Sequence, residues 1–217
     1  MSSLQPVRAE SLSAQVAESI REAIFSGELK PGQVLRELGL AKNMNVSQAT
    51  VREALSHLEH YGLVVRTPNR STSVTSLAPD EVLNRTRVWL TLEGKIWEEA
   101  VNAPQELLID LSAVVAEMET WGTDARRFHT RLWESAGNSV LLRILDQLTT
   151  PLFAFCRIDK EQTPHSIARY KRMLDGIRSG TPNASIQALR EQVEALQPSQ
   201  PVGTPEQLEG REASASA

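Results

Sequence analysis

Val46–Val64 reads VSQATVREALSHLEHYGLV, and its pattern decides the fold of the first third of the chain. Ser47 has the side chain of a helix N-cap, whose hydroxyl oxygen takes an amide proton left free in the first turn. Val51, Leu55 and Leu58 recur at i, i+4 and i+7, with Ala54 and Tyr61 beside them, so one helical face is apolar. Gly62 stands where a left-handed residue ends such a helix. The opposite face carries Gln48, Thr50, Arg52, Ser56 and His57. Short polar groups crowd its first turn, the end that a DNA-reading helix directs at base edges.

Upstream, Ser11–Ser26 predicts a helix, with Leu12, Val16, Ile20 and Ile24 on one face, Ser11 or Ser13 as cap and Gly27 as stop. Lys30-Pro31-Gly32 is a turn. Glu37–Met44 predicts a short second helix with Leu38 and Leu40 or Ala41 facing inward, and Asn45 turns the chain into the next helix. Downstream, Leu63–Thr67 and Thr72–Ser76 predict two strands around a turn at residues 68–71, with Arg70 at its tip, placed to enter a minor groove. Two helices joined by a tight turn and followed by a hairpin make a winged helix-turn-helix over Ser11–Leu77.

VSQATVREALSHLEHYGLV resembles the core motif of the GntR family of bacterial transcription regulators, and GELKPG (Gly27–Gly32) resembles its interhelical linker. Asn45 replaces the family's usual glycine, which it can do because asparagine tolerates the left-handed region. Gln48 stands where arginine is common, and glutamine pairs with adenine where arginine favours guanine. Ser71 replaces a glycine at the wing. The resemblance implies DNA contacts from Arg36, Ser47, Gln48, Thr50, Arg52 and Arg70. The plain alternative for Arg52 is a surface ion pair with Glu53 or Glu59. His57, two turns in, reads as surface.

The 217 residues are 41% apolar, enough for a packed core, and carry a formal net charge of −4. That sum argues weakly against nucleic acid, but its distribution reverses the argument. Between Lys30 and Arg70 six basic residues face three acidic ones, a local balance of +3. The single cysteine, Cys156, excludes an internal disulfide, and no run approaches the ~18 apolar residues of a membrane helix. A cytoplasmic protein without a membrane segment is expected.

From Ala78-Pro79-Asp80 onward the pattern is helical only. Glu81–Val101 places Leu83, Leu90, Trp97 and Val101 near one face. Helices follow from Pro104 to about Thr120, over Ala125–Ala136, and from Asn138 or Ser139 to Pro151, which is expected to kink or end that helix before Leu152–Ile158. Two more cover about 165–179 and 183–196. FHTRLWESAGNSVLL (Phe128–Leu142) and MLDGIRSGTPNASIQALREQV (Met173–Val193) resemble the FCD effector domain of FadR-like regulators, which implies an all-helical bundle that binds a small ligand and dimerises.

Many FCD domains hold a divalent metal with one aspartate and three histidines. His129 matches the first histidine, but Ala125 stands at the aspartate position, and the later histidine positions align with Tyr170 and Gln192. Asp124 is five residues before His129, a rotation of about 140° on a helix, so a regular helix would not aim both at one ion. No metal and no other cofactor is expected. His129, Tyr170 and Gln192 are instead candidate hydrogen-bonding groups for a polar effector, and Arg87 a partner for its carboxylate. The alternative is that these residues lie on the surface or a dimer face.

The expected architecture is mostly α: an arm (1–9), a winged helix-turn-helix (10–77), a helical ligand-binding and dimerisation domain (78–197) and a disordered tail (198–217) rich in Pro, Gly, Ser and Ala. The expected function is a ligand-responsive repressor, not an enzyme. It would bind a near-palindromic double-stranded operator as a homodimer under the control of a small-molecule effector, an organic acid. The rivals are a helical metal-dependent hydrolase with a winged-helix appendage, supported only by His129 with Asp124, and a winged helix used for protein contacts alone.

Overall fold

The computed structural model describes residues 11–67, 71–121, 125–156 and 164–196. The arm, Arg70, Asp124 and the tail lie outside them. The described residues form two compact units, with the change between Thr75 and Ser76.

The first unit begins with α1 (Leu12–Ser26), capped by Ser11, whose side chain accepts from the Ala14 amide, and closed by Gly27 at φ 80°. β1 (Val34–Leu35), α2 (Glu37–Asn43), α3 (Gln48–His60), β2 (Val64–Arg66) and β3 (Thr72–Val74) follow. α1 packs on α3. Val16, Ile20 and Ile24 meet the face of α3 formed by Val51, Ala54, Leu55 and Leu58, all buried. Each of these valine, leucine and isoleucine side chains contributes about 1.5–3 kcal/mol on leaving water, so this contact holds the helical part together. Leu12, expected on the same stripe, is half exposed.

Two departures are local. Leu38 does not face inward; it is 68% exposed, and Ala41 is the buried residue of the seven-residue α2. A helix this short offers one inward position per turn, and the small alanine lets α2 lie close to α3. The sheet also has a third strand: its order is β1-β3-β2, antiparallel throughout, with Leu35 opposite Thr72 and Arg66 opposite that same residue on the other side. Two residues are too few to show strand periodicity, so β1 has no signature in the sequence.

The second unit contains α4 (Pro79–Ala100), α5 (Gln105–Trp121), α6 (Ala125–Ser135), α7 (Ser139–Phe155), α8 (Pro164–Arg178) and α9 (Asn183–Glu194). α4 packs against α6, α7 and α9, α5 against α6 and α8, and α8 against α9. Pro79 opens α4, a position where its missing N–H costs nothing. α7 starts at Asn138, whose carbonyl oxygen accepts from the amides of Val140 and Leu141, and runs through Pro151 without ending. One turn before that proline the Leu148 carbonyl accepts from Arg85 Nη1 of α4 at 3.1 Å, an external donor beside the interrupted ladder. The proline is therefore internal to one helix and does not separate two.

The face of α4 also differs from expectation. Its buried residues are Val82, Thr86, Trp89, Glu93, Gly94, Ile96, Trp97 and Ala100, whereas Leu83 is 50% exposed and Leu90 and Val101 are half-buried. A glutamate sits in the middle of the buried stripe.

The α8–α9 contact depends on Gly176. A Cβ there would lie 1.9 Å from Ser185 Oγ and 3.0 Å from the Thr181 carbonyl oxygen. Ser185 is itself fully buried and donates to the Met173 carbonyl at 2.6 Å, so it cannot turn away without stranding a polar group. Gly176→Ala is expected to lower stability by about 1–3 kcal/mol in urea denaturation; an unchanged midpoint would show that the two helices separate at no cost.

Candidate functional site

Two places in the fold carry polar chemistry. The first is the outer face of α3. Asn45 takes φ 54°, the left-handed geometry the turn requires. Val46 then leads into Ser47, extended at ψ 152°, whose Oγ accepts from the Thr50 amide at 3.1 Å and lies 2.8 Å from Thr50 Oγ1. Gly62 follows the helix at φ 69°. With Val51, Ala54, Leu55 and Leu58 buried beneath, Ser47, Gln48 and Arg52 are exposed and Thr50 half-buried. Arg36 is exposed at the N-terminus of α2. Ser47→Ala removes the cap and is expected to cost about 1 kcal/mol of unfolding free energy, read by thermal denaturation; a loss under ~0.3 kcal/mol would mean another group caps α3.

Arg52 does not pair with Glu53 or Glu59. Its guanidinium reaches across to α2 and donates to Glu37, Nη2 to Oε2 at 2.9 Å and Nε to the same oxygen at 3.2 Å. This hydrogen bond and the charge of Glu37 raise the guanidinium further above its ordinary value. The side chain is nonetheless 60% exposed. Arg66 of β2 donates to the Arg52 carbonyl at 3.0 Å and pairs with Glu59 at 3.4 Å, tying the wing to the middle of α3. The reading helix is thus fixed from both sides by cations that are themselves held by acids.

The second place is the interior of the helical unit, and it centres on Glu93, which sequence reasoning did not single out. Trp89, Glu93 and Trp97 occupy i, i+4 and i+8 of α4, and His129 and Trp133 occupy i and i+4 of α6, so the two sets face each other as ladders. Trp89 Nε1 and Trp133 Nε1 donate to Glu93 Oε2 at 2.6 and 2.7 Å. Trp97 Nε1 donates to Oε1 at 3.1 Å, and His129 Nδ1 lies 2.8 Å from the same oxygen. Three indole N–H donors and one imidazole nitrogen on two oxygens fill the four places that a carboxylate offers. Glu93, His129, Trp89 and Trp97 are wholly shielded from water, and Trp133 almost so. A buried carboxylate is tolerated because its hydration shell is replaced bond for bond.

The network continues outward from His129. Its Nε2 lies 3.2 Å from Gln192 Oε1 of α9, and Gln192 Nε2 donates to Tyr170 Oη of α8 at 2.9 Å. Rings enclose it: Trp89 meets His129 edge-on at 5.1 Å, and Phe128 meets Tyr170 at 4.8 Å. The structure therefore brings together three of the four effector residues expected from sequence. The fourth, Arg87, is elsewhere: it is exposed and lines a groove of about 500 Å³ with Leu83, Arg190, Val193 and Glu194, which the other three do not line.

The cluster does not fit a divalent metal. Both oxygens of Glu93 and both ring nitrogens of His129 are already engaged, Gln192 and Tyr170 are neutral, and buried Ala125 occupies the position an acid would need. Among the described residues no three His, Cys, Asp or Glu side chains group to hold an ion. His129 Nδ1 is turned to Glu93, and Asp124, the other residue of the hydrolase reading, lies outside the described residues. No described helix is long and apolar enough to cross a membrane.

Comparison with known proteins agrees with both halves. Residues 12–74 match the model of the bacterial regulatory proteins of the gntR family, and residues 86–195 match the FCD domain. YdhC of Bacillus subtilis, an uncharacterized HTH-type transcriptional regulator, is 30% identical over 66% of this chain and 69% of its own length. The HTH-type transcriptional repressor NanR of Citrobacter rodentium is 26% identical over 86% of this chain and 84% of its own. Among solved structures, McbR/YncC of E. coli superposes with a TM-score of 0.67 at 22% identity, covering 86% of this chain and 95% of that one.

Proposed function

Because the chain belongs to the GntR family of bacterial regulatory proteins and carries an FCD domain, and is thus a transcriptional regulator, we propose that it is a cytoplasmic repressor that binds its operator as a homodimer under the control of a small carboxylate. The observation that carries this proposal is the outer face of α3: a capped helix with Ser47, Gln48 and Arg52 exposed over a fully buried face. Arg36 and Arg70 are proposed to flank it on phosphates and in the minor groove. Two copies would read half-sites about one helical turn apart on a near-palindromic duplex. Repression is the action named for NanR and is proposed here by that likeness.

Selection from random duplex DNA tests the DNA half of the proposal. Enrichment of an inverted repeat, bound at two chains per duplex, is expected. No enrichment at any salt concentration would reject it and favour a winged helix that contacts protein instead.

For the effector, His129, Tyr170 and Gln192 are proposed to meet the polar part of the ligand, with Arg87 drawing anions to the groove face. An effector acts only by binding one arrangement of the domains better than another, and a coupling of about 1–3 kcal/mol, some 5- to 150-fold in operator affinity, is typical. Titration of the operator complex with a panel of small mono- and dicarboxylic acids is expected to find one that shifts affinity by this amount. A panel that leaves affinity unchanged would remove the carboxylate assignment.

A further inference from the structure

The interior of the helical unit already contains a bound carboxylate, and it belongs to the chain. Three indole N–H groups and one imidazole nitrogen, from two different helices, converge within 2.6–3.1 Å on the two oxygens of Glu93. Indole is a donor only and cannot satisfy itself by accepting. Trp89, Trp97 and Trp133 therefore present a convergent donor set, and the acceptor that meets all three here is a carboxylate. The set is planar-specific as well: two donors fall on each oxygen, the arrangement a carboxylate offers and a spherical ion does not. The rings of Trp89, Phe128 and Phe153 lie 5.1–5.9 Å from the His129 ring, so the wall around it is largely aromatic.

We propose that Trp89, Trp97, Trp133 and His129 form a carboxylate-binding site and that Glu93 fills it as an internal ligand, so that a free carboxylate gains the site only where Glu93 is withdrawn. The proposal deepens the effector assignment given above and rests on it for its biological use, but the site itself stands on its geometry. Because Glu93 is tethered one helical turn from two of its donors, it competes at an effective concentration far above that of a free acid in solution. An acid that offers only its carboxylate, such as acetate, should therefore not displace Glu93 from the native protein, whereas an effector displaces it by adding contacts of its own. Withdrawal of Glu93 also frees His129 Nδ1, and through His129 it loosens Gln192 and Tyr170, so occupancy of this one site is felt by α4, α6, α8 and α9 together.

Glu93→Ala tests the site directly, because the atoms removed are the methylene carbon and carboxylate of one acetate ion. In 50 mM sodium acetate the full-length variant is expected to melt roughly 5 °C higher than in 50 mM sodium chloride, while native protein shifts by less than about 1 °C. Adding Trp133→Phe to Glu93→Ala, which deletes one donor, is expected to shrink the acetate effect. Equal melting of Glu93→Ala in the two salts overturns the proposal. If the variant is unfolded in chloride, refolding from urea is compared in the two salts by circular dichroism. Recovery of helix in acetate alone supports the site, and recovery in neither overturns it. No DNA enters this test, so its failure would leave the operator result standing, and a failed operator selection would not touch it.

Discussion

Glu93→Leu is expected to destabilise the helical unit by at least about 4 kcal/mol. Leucine fills the space but accepts nothing. Three buried indole N–H groups, on Trp89, Trp97 and Trp133, lose their acceptor at once, and His129 Nδ1 loses its partner. Each stranded donor costs about 1–3 kcal/mol, so the three indoles together cost about 3–9 kcal/mol, a range that includes the expected figure. Domains of this size are stable by about 5–15 kcal/mol in total, and the variant would stand near or past the edge of folding. The contrast with the donors is what makes the prediction specific. Trp97→Phe deletes one N–H, the more distant at 3.1 Å, and leaves the other two indoles and the imidazole nitrogen on the carboxylate; it is expected to cost no more than about 2 kcal/mol. Urea denaturation followed by far-ultraviolet circular dichroism measures both. If Glu93→Leu unfolded within ~1 kcal/mol of native protein, the carboxylate would be replaceable by packing, as some buried ion pairs are, and its status as the organising group of the interior would be lost.

The same residue explains what could and could not be seen from sequence. The reading helix was legible because each signal agreed: Ser47 caps it, Val51, Leu55 and Leu58 are buried, Asn45 is left-handed at φ 54° and Gly62 follows at φ 69°. Local rules suffice where local and tertiary preferences coincide. In α4 they conflict. A search for apolar periodicity passes over a stripe with a glutamate at its centre and selects Leu83 and Leu90, which line a solvent-facing groove. The stripe Val82–Thr86–Trp89–Glu93–Ile96–Trp97–Ala100 reads as an inner face only if the acid is allowed inside. The signal that could have licensed this is the spacing of Trp89, Glu93 and Trp97, with His129 and Trp133 one turn apart elsewhere: a buried indole needs an acceptor, and the acceptor nearest two of them on one face is Glu93. Pro151, expected to kink or end its helix, does not end it. A local rule that proline ends a helix was overridden by burial, since Thr149 to Cys156 are all interior.

Arg52→Ala is expected to lower operator affinity by roughly 30- to 20,000-fold while leaving the association state of the protein unchanged. A bidentate arginine contact is worth about 1–3 kcal/mol, and a dimer on a near-palindrome makes it twice, so about 2–6 kcal/mol is at stake. The bond to Glu37 bears on whether Arg52 is free to act. Exposed pairs of this kind contribute about 0–1 kcal/mol, and with its side chain 60% exposed Arg52 can exchange Glu37 for a base edge or phosphate at little cost. Glu37→Gln separates the two possibilities that remain. If Glu37 merely competes, the variant binds operator up to about fivefold more tightly per half-site; if it aims the guanidinium, the variant binds more weakly by a similar factor. The form of the Arg52→Ala loss is equally informative. Loss of discrimination at one base position assigns a base contact, whereas uniform weakening with a salt slope reduced by about 1 per half-site assigns a phosphate contact. Fluorescence anisotropy with operator and single-base variants across a salt series gives all three quantities, and sedimentation equilibrium gives the association state. Affinity within threefold of native for Arg52→Ala would remove the outer face of α3 from the DNA interface, and with it the assignment of Gln48, which stands one turn before Arg52 on the same face.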